Sequence, residues 1–245
     1  METVLITGAA RRLGRMIAED LAAAGCFVWI HYHTHEAEAI ALREQIRQDG
    51  GQCECVRADL TDITQIDAML RTILDSSNRA LTTLINNASV MSRGKLDQTS
   101  AEDWDVLINT NLRAVWYLSS RFSVQFPDAR RIITIGDASV YRGFAEHAVY
   151  GLSKSALKYL TEQMASEYAP RIRVNLLSPG MVLQGEHETP ESWQRRTDQI
   201  LTDNSRITGQ ILKGIAFLMS DPGLDGSELI IDNGLHLRGK SGNIK

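Results

Sequence analysis

Tyr150 and Lys154, in the run Tyr150-Gly151-Leu152-Ser153-Lys154, are the strongest chemical signal in this chain. Spaced i,i+4, they share one helix face, which brings the ammonium near the phenolic oxygen. A cation there favours phenolate and is expected to draw the tyrosine pKa from about 10 toward neutrality, making Tyr150 a proton donor or acceptor. Tyr-x-x-x-Lys is common on solvated helix faces, so position has to decide. Asp137 stands thirteen residues before Tyr150, in Ile135-Gly136-Asp137-Ala138-Ser139, just past an apolar run. A strand end and a helix therefore bring a carboxylate, a phenol and an amine to one crevice, a set suited to proton transfer.

A second constellation binds phosphate. Thr7-Gly8-Ala9-Ala10-Arg11-Arg12-Leu13-Gly14 follows the first apolar run and leads into a helix-compatible stretch. Glycines in such a turn allow close backbone approach to a pyrophosphate, and the next helix points N–H groups and partial positive charge at it. A tight turn with no ligand has the same glycines, but Arg11 and Arg12 place two cations where a phosphate would lie. After the second run comes His31-Tyr32-His33-Thr34-His35, with no carboxylate before Glu36. NAD sites usually carry an Asp or Glu there for the ribose 2′-hydroxyl; imidazoles, a hydroxyl and a nearby arginine accept a 2′-phosphate instead, so NADP is expected. A solvated loop would also explain the three histidines, and a zinc site lacks a fourth ligand.

Two further groups lie where parallel sheets bind ligands, at the carboxyl ends of strands. Asp59 is placed to accept from an adenine amino group, or to cap the helix starting near Asp62. Asn86-Asn87-Ala88-Ser89 offers small polar contacts to a ribose or a nicotinamide carboxamide.

These groups need a frame. Short apolar runs alternate with amphipathic stretches, predicting strands at 4–6, 27–32, 52–57, 81–85, 131–135, 172–176 and 228–231. Helices are predicted near 13–24, 35–49, 62–76, 100–120, 148–168 and 207–220, each long enough for a crossover. The expected architecture is α/β, a doubly wound seven-stranded parallel sheet. Residues 1–245 read as one domain, with neither repeat nor linker. An irregular stretch at about 181–206, including Gln184-Gly185-Glu186-His187-Glu188-Thr189-Pro190 and Trp193, is too long for an ordinary connection. It reads as a substrate loop or as a surface excursion carrying a short helix.

Composition narrows the function classes. With 245 residues, 43% hydrophobic and 23% charged, the chain has the apolar material for a full core. Lys and Arg number 26 against 30 Asp and Glu, a net charge of −4, without the basic excess that nucleic acid binding requires. Cys26, Cys53 and Cys55 cannot pair completely, and Cys53 and Cys55 point to one strand face, so a reducing cytoplasm is expected. Neither a signal peptide nor a membrane span is read in the chain.

Together these motifs resemble the short-chain dehydrogenase/reductase family over nearly the whole chain. The family's glycine turn matches Thr7 to Gly14, its N-N-A-G matches Asn86 to Ser89, and its N-L matches Asn111-Leu112. Its Y-x-x-x-K, P-G and D-G-G match Tyr150 with Lys154, Pro179-Gly180 and Asp232-Asn233-Gly234. Four features resemble the pteridine reductase branch in particular: Arg12 in place of the second glycine, His31-Tyr32-His33, Ser89 in N-N-A-S, and Asp137 in place of the usual serine. Leu235-His236-Leu237-Arg238 is similar to bacterial dihydromonapterin reductases of that branch. Val90-Met91 stands where the branch often has an aromatic, and Thr34-His35 where it commonly has Arg-Ser.

The resemblance implies a Rossmann-type fold and an NADPH-dependent reduction of a pteridine C=N bond. Asp137, Tyr150, Lys154 and Asn111 would be catalytic, with Asn111 interrupting its helix and helping a water reach Lys154. NADP(H) would be held by Gly8, Arg11, Arg12, Leu13, His33, Thr34, His35, Asp59, Leu60, Asn87, Ala88 and Ser89, with Tyr150, Lys154, Pro179 and Gly180. The substrate would meet Arg12, Ser89, Met91, Asp137, Tyr150, Leu183 and Trp193. The alternatives are a carbonyl reductase using Ser139 as the hydroxyl, and a non-catalytic NADP-binding protein. A homo-oligomer, dimer or tetramer, is implied through the helices near 100–120 and 148–168. Val115, Trp116, Leu157 and Leu160 lie there, with the core as their default place.

Overall fold

The computed structural model describes residues 2–76, 80–143, 146–185 and 188–237; Glu186, His187 and Arg238 from the motifs above lie outside them. Among the described residues the apolar runs form β1 (Thr3–Ile6), β2 (Phe27–Tyr32), β3 (Gln52–Arg57), β4 (Thr83–Asn86), β5 (Arg131–Ile135), β6 (Arg173–Pro179) and β7 (Glu228–Ile231). They build one parallel sheet in the order β3-β2-β1-β4-β5-β6-β7. The order reverses between β1 and β4, and a crevice for ligands opens at such a switch point, beyond the carboxyl ends of the strands.

The helices are α1 (Arg12–Ala23), α2 (Glu36–Gln48), α3 (Ile63–Ser76), α4 (Ala101–Ile108), α5 (Ala114–Gln125), α6 (Ala148–Tyr168), α7 (Pro190–Thr197) and α8 (Ile207–Met219). Strand alternation feeds both sheet faces. Val4 and Ile6 of β1 join Ile17, Leu21, Leu42 and Ile211 from α1, α2 and α8. Leu5 turns the other way, to Ile66, Leu70, Phe122 and Met164 from α3, α5 and α6. Cys53 and Cys55 do share a face, under the carbonyls of Arg43 and Ala39 on α2.

Three of the differences from the sequence expectation each have a local reason. β6 runs on to Pro179 because its pairing with β7 continues through Pro179 opposite Ile231. β4 starts at Thr83, since Thr82 is drawn onto β1, its N–H donating to the Thr3 carbonyl at 3.0 Å. The helix expected over 100–120 breaks into α4, a π-helical turn at Asn109–Arg113 and α5. Of the four apolar residues considered for pairing, Val115 and Leu157 are core, whereas Trp116 is half exposed and Leu160 partly buried. No helix among the described residues is long and apolar enough to cross a membrane.

His31 locks the frame to the crevice. Fully buried near the end of β2, it accepts the Gly8 N–H on Nδ1 at 3.0 Å and bonds the Ala58 carbonyl through Nε2 at 3.1 Å. One imidazole thereby spans the turn after β1 and the end of β3, and this tautomer has no room for a second proton. Burial lowers its pKa from 6.5 to about 4, against a smaller opposing effect of the Ala58 hydrogen bond. The unfolded chain thus binds the proton first, and stability present above pH 6.5 is lost as pH falls toward 4, by about 3 kcal/mol in all. Urea unfolding between pH 7 and pH 4.5 is expected to show this slope in the native chain. His31→Gln should be less stable at pH 7 but lack that part of the acid dependence.

Candidate active site

The turn after β1 is shaped by contacts that leave no room for side chains. Gly8 has φ +62°, and a Cβ there would lie 3.0 Å from Ala88 Cα. Gly14 sits in the first turn of α1, where a Cβ would come within 2.3 Å of the Gly8 carbonyl oxygen and 2.6 Å of Asn87 Nδ2. Asn87 donates to the carbonyls of Thr7 (2.9 Å) and Gly8 (3.1 Å), while Thr7 Oγ1 accepts the N–H groups of Asn87 and Ala88. The Asn87 side-chain amide thus shapes the turn through its Nδ2.

Around this turn the cations gather as expected. Arg11 precedes α1 and its Nη1 donates to Nε2 of His35, which with His33 and Thr34 is exposed at the end of β2. Glu36, the first carboxylate beyond β2, accepts from Tyr32 at 2.9 Å. Arg12 adopts φ +52°, a left-handed conformation unusual for a side-chain-bearing residue, and its Nη2 donates to the Gln184 carbonyl at 3.0 Å, with that of Leu183 at 3.5 Å. It therefore ties the glycine turn to the long loop. Asp59 uses Oδ1 for the N–H and hydroxyl of Thr61 and turns Oδ2 toward His33, 3.7 Å away. The helix-capping alternative falls to Asp62, which accepts the Thr64 N–H. Leu60 is core, and Leu13 packs half-buried against α1's side of the sheet.

Asn111 lies in the π turn, 1% exposed. Its Oδ1 accepts the Val90 N–H at 2.9 Å and its Nδ2 donates to the Val90 carbonyl at 2.8 Å and to Ser153 Oγ at 3.1 Å. The helix interruption expected for it is present, and it clips the loop after β4 to α6. That loop carries Ser89 and Met91, the latter 60% exposed.

Asp137, Tyr150 and Lys154 meet at the end of β5. The Tyr150 hydroxyl donates to Asp137 Oδ2 at 2.7 Å, while Asp137 Oδ1 accepts the Ser139 N–H at 2.8 Å. Ser139, the alternative hydroxyl, contributes that backbone group to Asp137. Lys154 Nζ, buried, donates to the Ile135 carbonyl at 2.9 Å and lies 6.0 Å from the Tyr150 ring centroid. Burial brings the Lys154 pKa down to about 8, with Asp137 acting the other way.

The tyrosine departs from expectation. Its pKa is pushed well up by burial, then by the Asp137 charge and hydrogen bond, with a hydrogen bond from Ser89 opposing them. Lys154 does not depress it as the i,i+4 spacing suggested: the ammonium donates to the Ile135 carbonyl, while the Asp137 carboxylate accepts a hydrogen bond from the phenol. Tyr150 is accordingly a protonated acid at neutral pH.

The loop at 181–206 carries the short helix α7, capped by Thr189, and Arg12 reaches it at the Gln184 carbonyl. Trp193 packs on Met181, Ile200 and Leu235, an anchoring place. Pro179 ends β6, and Gly180 is pressed so closely on Asp232 that a Cβ would sit 2.6 Å from the aspartate's Cβ. Asn204 holds the Met181 carbonyl and accepts from Asn233, pinning the loop to the turn after β7. His31, Asn204 and Asn233 were not singled out as site residues. Period-two alternation along His31-Tyr32-His33 is the available signal for His31 and the D-G-G match at Asp232-Asn233-Gly234 that for Asn233; Asn204 carries none.

These surroundings suit a nicotinamide dinucleotide. The glycine turn packs closely at Gly8 and Gly14, the N-terminal residue of α1 has no side-chain cap, and the end of β2 presents imidazoles and Arg11 instead of a carboxylate. No group of three or more His, Cys, Asp or Glu among the described residues is arranged to hold a metal.

Residues 2–195 match the short chain dehydrogenase family. The chain belongs to that family. Among curated short-chain dehydrogenase relatives, a cyclopentanol dehydrogenase from Comamonas sp. (strain NCIMB 9872) is 30% identical over 95% of this chain and 96% of its own length. A 3-oxoacyl-[acyl-carrier-protein] reductase from Staphylococcus aureus (strain Mu50 / ATCC 700699) is 28% identical over 96% and 98%. Among solved structures, FolM alternative dihydrofolate reductase 1 from Brucella canis, complexed with NADP, superposes with a TM-score of 0.90 at 28% identity, covering 100% of this chain and 97% of that one.

As in any short-chain dehydrogenase, the glycine turn must stay open for a dinucleotide. Gly14→Ala is expected to displace Asn87 and weaken dinucleotide binding at least tenfold, about 1.4 kcal/mol, measured by fluorescence titration. Asn87→Ala, which adds no bulk, should weaken it in the same direction by releasing the carbonyls of Thr7 and Gly8.

Proposed function

We propose that this chain is an NADPH-dependent reductase of a pteridine C=N bond, taking a dihydropterin such as dihydromonapterin or dihydrobiopterin to its tetrahydro form. The carrying observation is Asp137, whose carboxylate stands beside the Tyr150 hydroxyl at 2.7 Å. An ionised carboxylate only accepts hydrogen bonds, so it suits the ring N–H and amino donors of a pterin; a ketone oxygen brings only lone pairs. The FolM neighbour, described as an alternative dihydrofolate reductase, supports this reading.

NADP(H) is the proposed cofactor, in line with the NADP in that neighbour. When bound, the reduced nicotinamide supplies the hydride. The glycine turn and α1 hold its pyrophosphate, Arg11, His33, Thr34 and His35 its 2′-phosphate, Asp59 its adenine, and Lys154 its nicotinamide ribose. Tyr150 keeps its proton at neutral pH and delivers it from the phenolic oxygen to the ring nitrogen. Arg12, Leu183 and Trp193 close the loop over the substrate, with Met91 against the ring. We assign the enzyme to the cytoplasm, where its free thiols stay reduced, as a homo-oligomer. The pairing face is the apolar groove lined by Ile108, Leu112, Trp116, Tyr159 and Leu160.

A carbonyl substrate is the second reading, favoured by the cyclopentanol dehydrogenase and 3-oxoacyl reductase relatives. NADPH oxidation with dihydromonapterin, dihydrobiopterin, dihydrofolate and cyclic ketones, repeated with NADH, separates the two. Turnover of a pterin with preference for NADPH is expected, with Tyr150→Phe lowering kcat at least about 100-fold. Turnover confined to ketones would reverse the substrate class, and a Tyr150→Phe variant that keeps most of its kcat would remove the tyrosine from the chemistry.

A further inference from the structure

Asp137 works by direction: its Oδ2 meets the Tyr150 hydroxyl only while the backbone on either side of it is held in place. Before it stands Gly136, whose N–H donates to the Leu177 carbonyl at 2.8 Å, and which lies so close on β6 that a Cβ would come 2.4 Å from Ser178 Oγ. After it comes the 3-10 turn Ala138–Tyr141, which Asp137 itself caps through the Ser139 N–H. One side chain reaches both flanks. Glu228, the first residue of β7, accepts the hydroxyl of buried Ser178 on Oε1 at 2.6 Å and the Tyr141 hydroxyl on Oε2. The Tyr141 ring also stands edge-on to His236, centroids 6.2 Å apart, and that imidazole is held by Asp232 at 2.8 Å. Arg142, the residue after the turn, donates to Gln199 of the long loop at 2.8 Å, so this segment is tied to the loop on one side and to the sheet, through Glu228, on the other.

We propose that Glu228 is a positioning residue for Asp137: its two carboxylate oxygens hold Ser178 against Gly136 and Tyr141 at the far end of the turn, and so aim the Asp137 carboxylate at Tyr150. Glu228 acts through these neighbours and takes no part in proton transfer. The chemistry asks for a carboxylate. Both of its oxygens accept, whereas a glutamine amide offers one acceptor and one donor, so glutamine would leave one of the two hydroxyls without its acceptor. Burial, then the hydrogen bond and charge of Glu228, push the Tyr141 pKa upward, so its hydroxyl remains a donor at neutral pH. A phenol–carboxylate bond therefore stands at each end of the turn, Tyr150 with Asp137 at the start and Tyr141 with Glu228 at the close. Releasing the second end lets the turn shift, and the 2.7 Å bond at the first end weakens with small losses of distance and angle.

The proposal rests on Asp137 as the partner of Tyr150 and not on the identity of the substrate. The native chain, Glu228→Gln and Tyr141→Phe are compared by NMR of tyrosine labelled with carbon-13 at Cζ, each with Asp137 present and with Asp137→Ala, the Tyr150 signal being assigned with Tyr150→Phe. Turnover is measured on whichever substrate class reacts. Glu228→Gln should shift the Tyr150 signal and lower kcat about tenfold, and Tyr141→Phe, which keeps the ring beside His236, should do the same more weakly. In Asp137→Ala neither substitution should move the signal further, because the group they position is gone. An unmoved Tyr150 signal in Glu228→Gln, or an equal shift with Asp137 absent, would overturn the proposal and leave Glu228 a brace of β7 alone. Should Glu228→Gln fail to fold, Tyr141→Phe decides by the same comparison. Because the NMR measurement needs no substrate, a failure of pterin turnover counts against the pteridine reading and not against this one.

Discussion

The hydrogen bond from Tyr150 to Asp137 sets the character of the site. It links the end of β5 to α6, and it places a negative charge where a hydroxyl would be neutral. Two consequences follow from that charge. The phenol keeps its proton, which suits it to be an acid in a reduction, and the crevice gains an acceptor, which under the proposed function would meet ring N–H and amino donors. Lys154, held under the site by the Ile135 carbonyl, is left to bind and balance charge instead of ionising its neighbour.

Such a hydrogen bond is useful only if the surrounding loops stay in register with it, and most of the polar burial in the molecule serves that end. His31 and Asn87 hold the turn after β1, Asn111 clips the loop after β4 onto α6, and Asp232 and Asn233 brace the start and end of the long loop. In each case a side chain satisfies backbone groups that no helix or strand pairs, and His31, Asn111 and Asp232 are buried and polar at once for that reason. Arg12 then joins the two halves of the crevice, its left-handed backbone sustained by the carbonyls it reaches.

Much of the sheet was legible in the sequence because central parallel strands, covered on both faces, read as short apolar runs; β2, β3, β5 and β7 begin and end where expected. The candidate site was legible where a motif carries its own geometry, as Tyr150 and Lys154 do on one helix. What escaped was orientation. Spacing put the Lys154 ammonium near the phenol, but the competition between the Ile135 carbonyl and the ring is decided by how β5 passes beneath α6. Likewise the hold of Asn87 on the carbonyls of Thr7 and Gly8 is a matter of orientation that spacing does not show. The split of the long helix at Asn109–Arg113, implied at Asn111 by the family resemblance, goes with the Asn111 contacts to Val90, twenty-one residues away.

The central claim is that the charge on Asp137 selects the substrate, and the most direct measurement is the ratio of kcat/KM for a dihydropterin to that for a cyclic ketone in Asp137→Ser. Serine restores a neutral hydroxyl beside Tyr150 without altering the tyrosine or the lysine. The ratio is predicted to fall at least about 100-fold, with ketone turnover unchanged or raised. Equal losses on both substrates, or a pterin rate that survives the substitution, would contradict it.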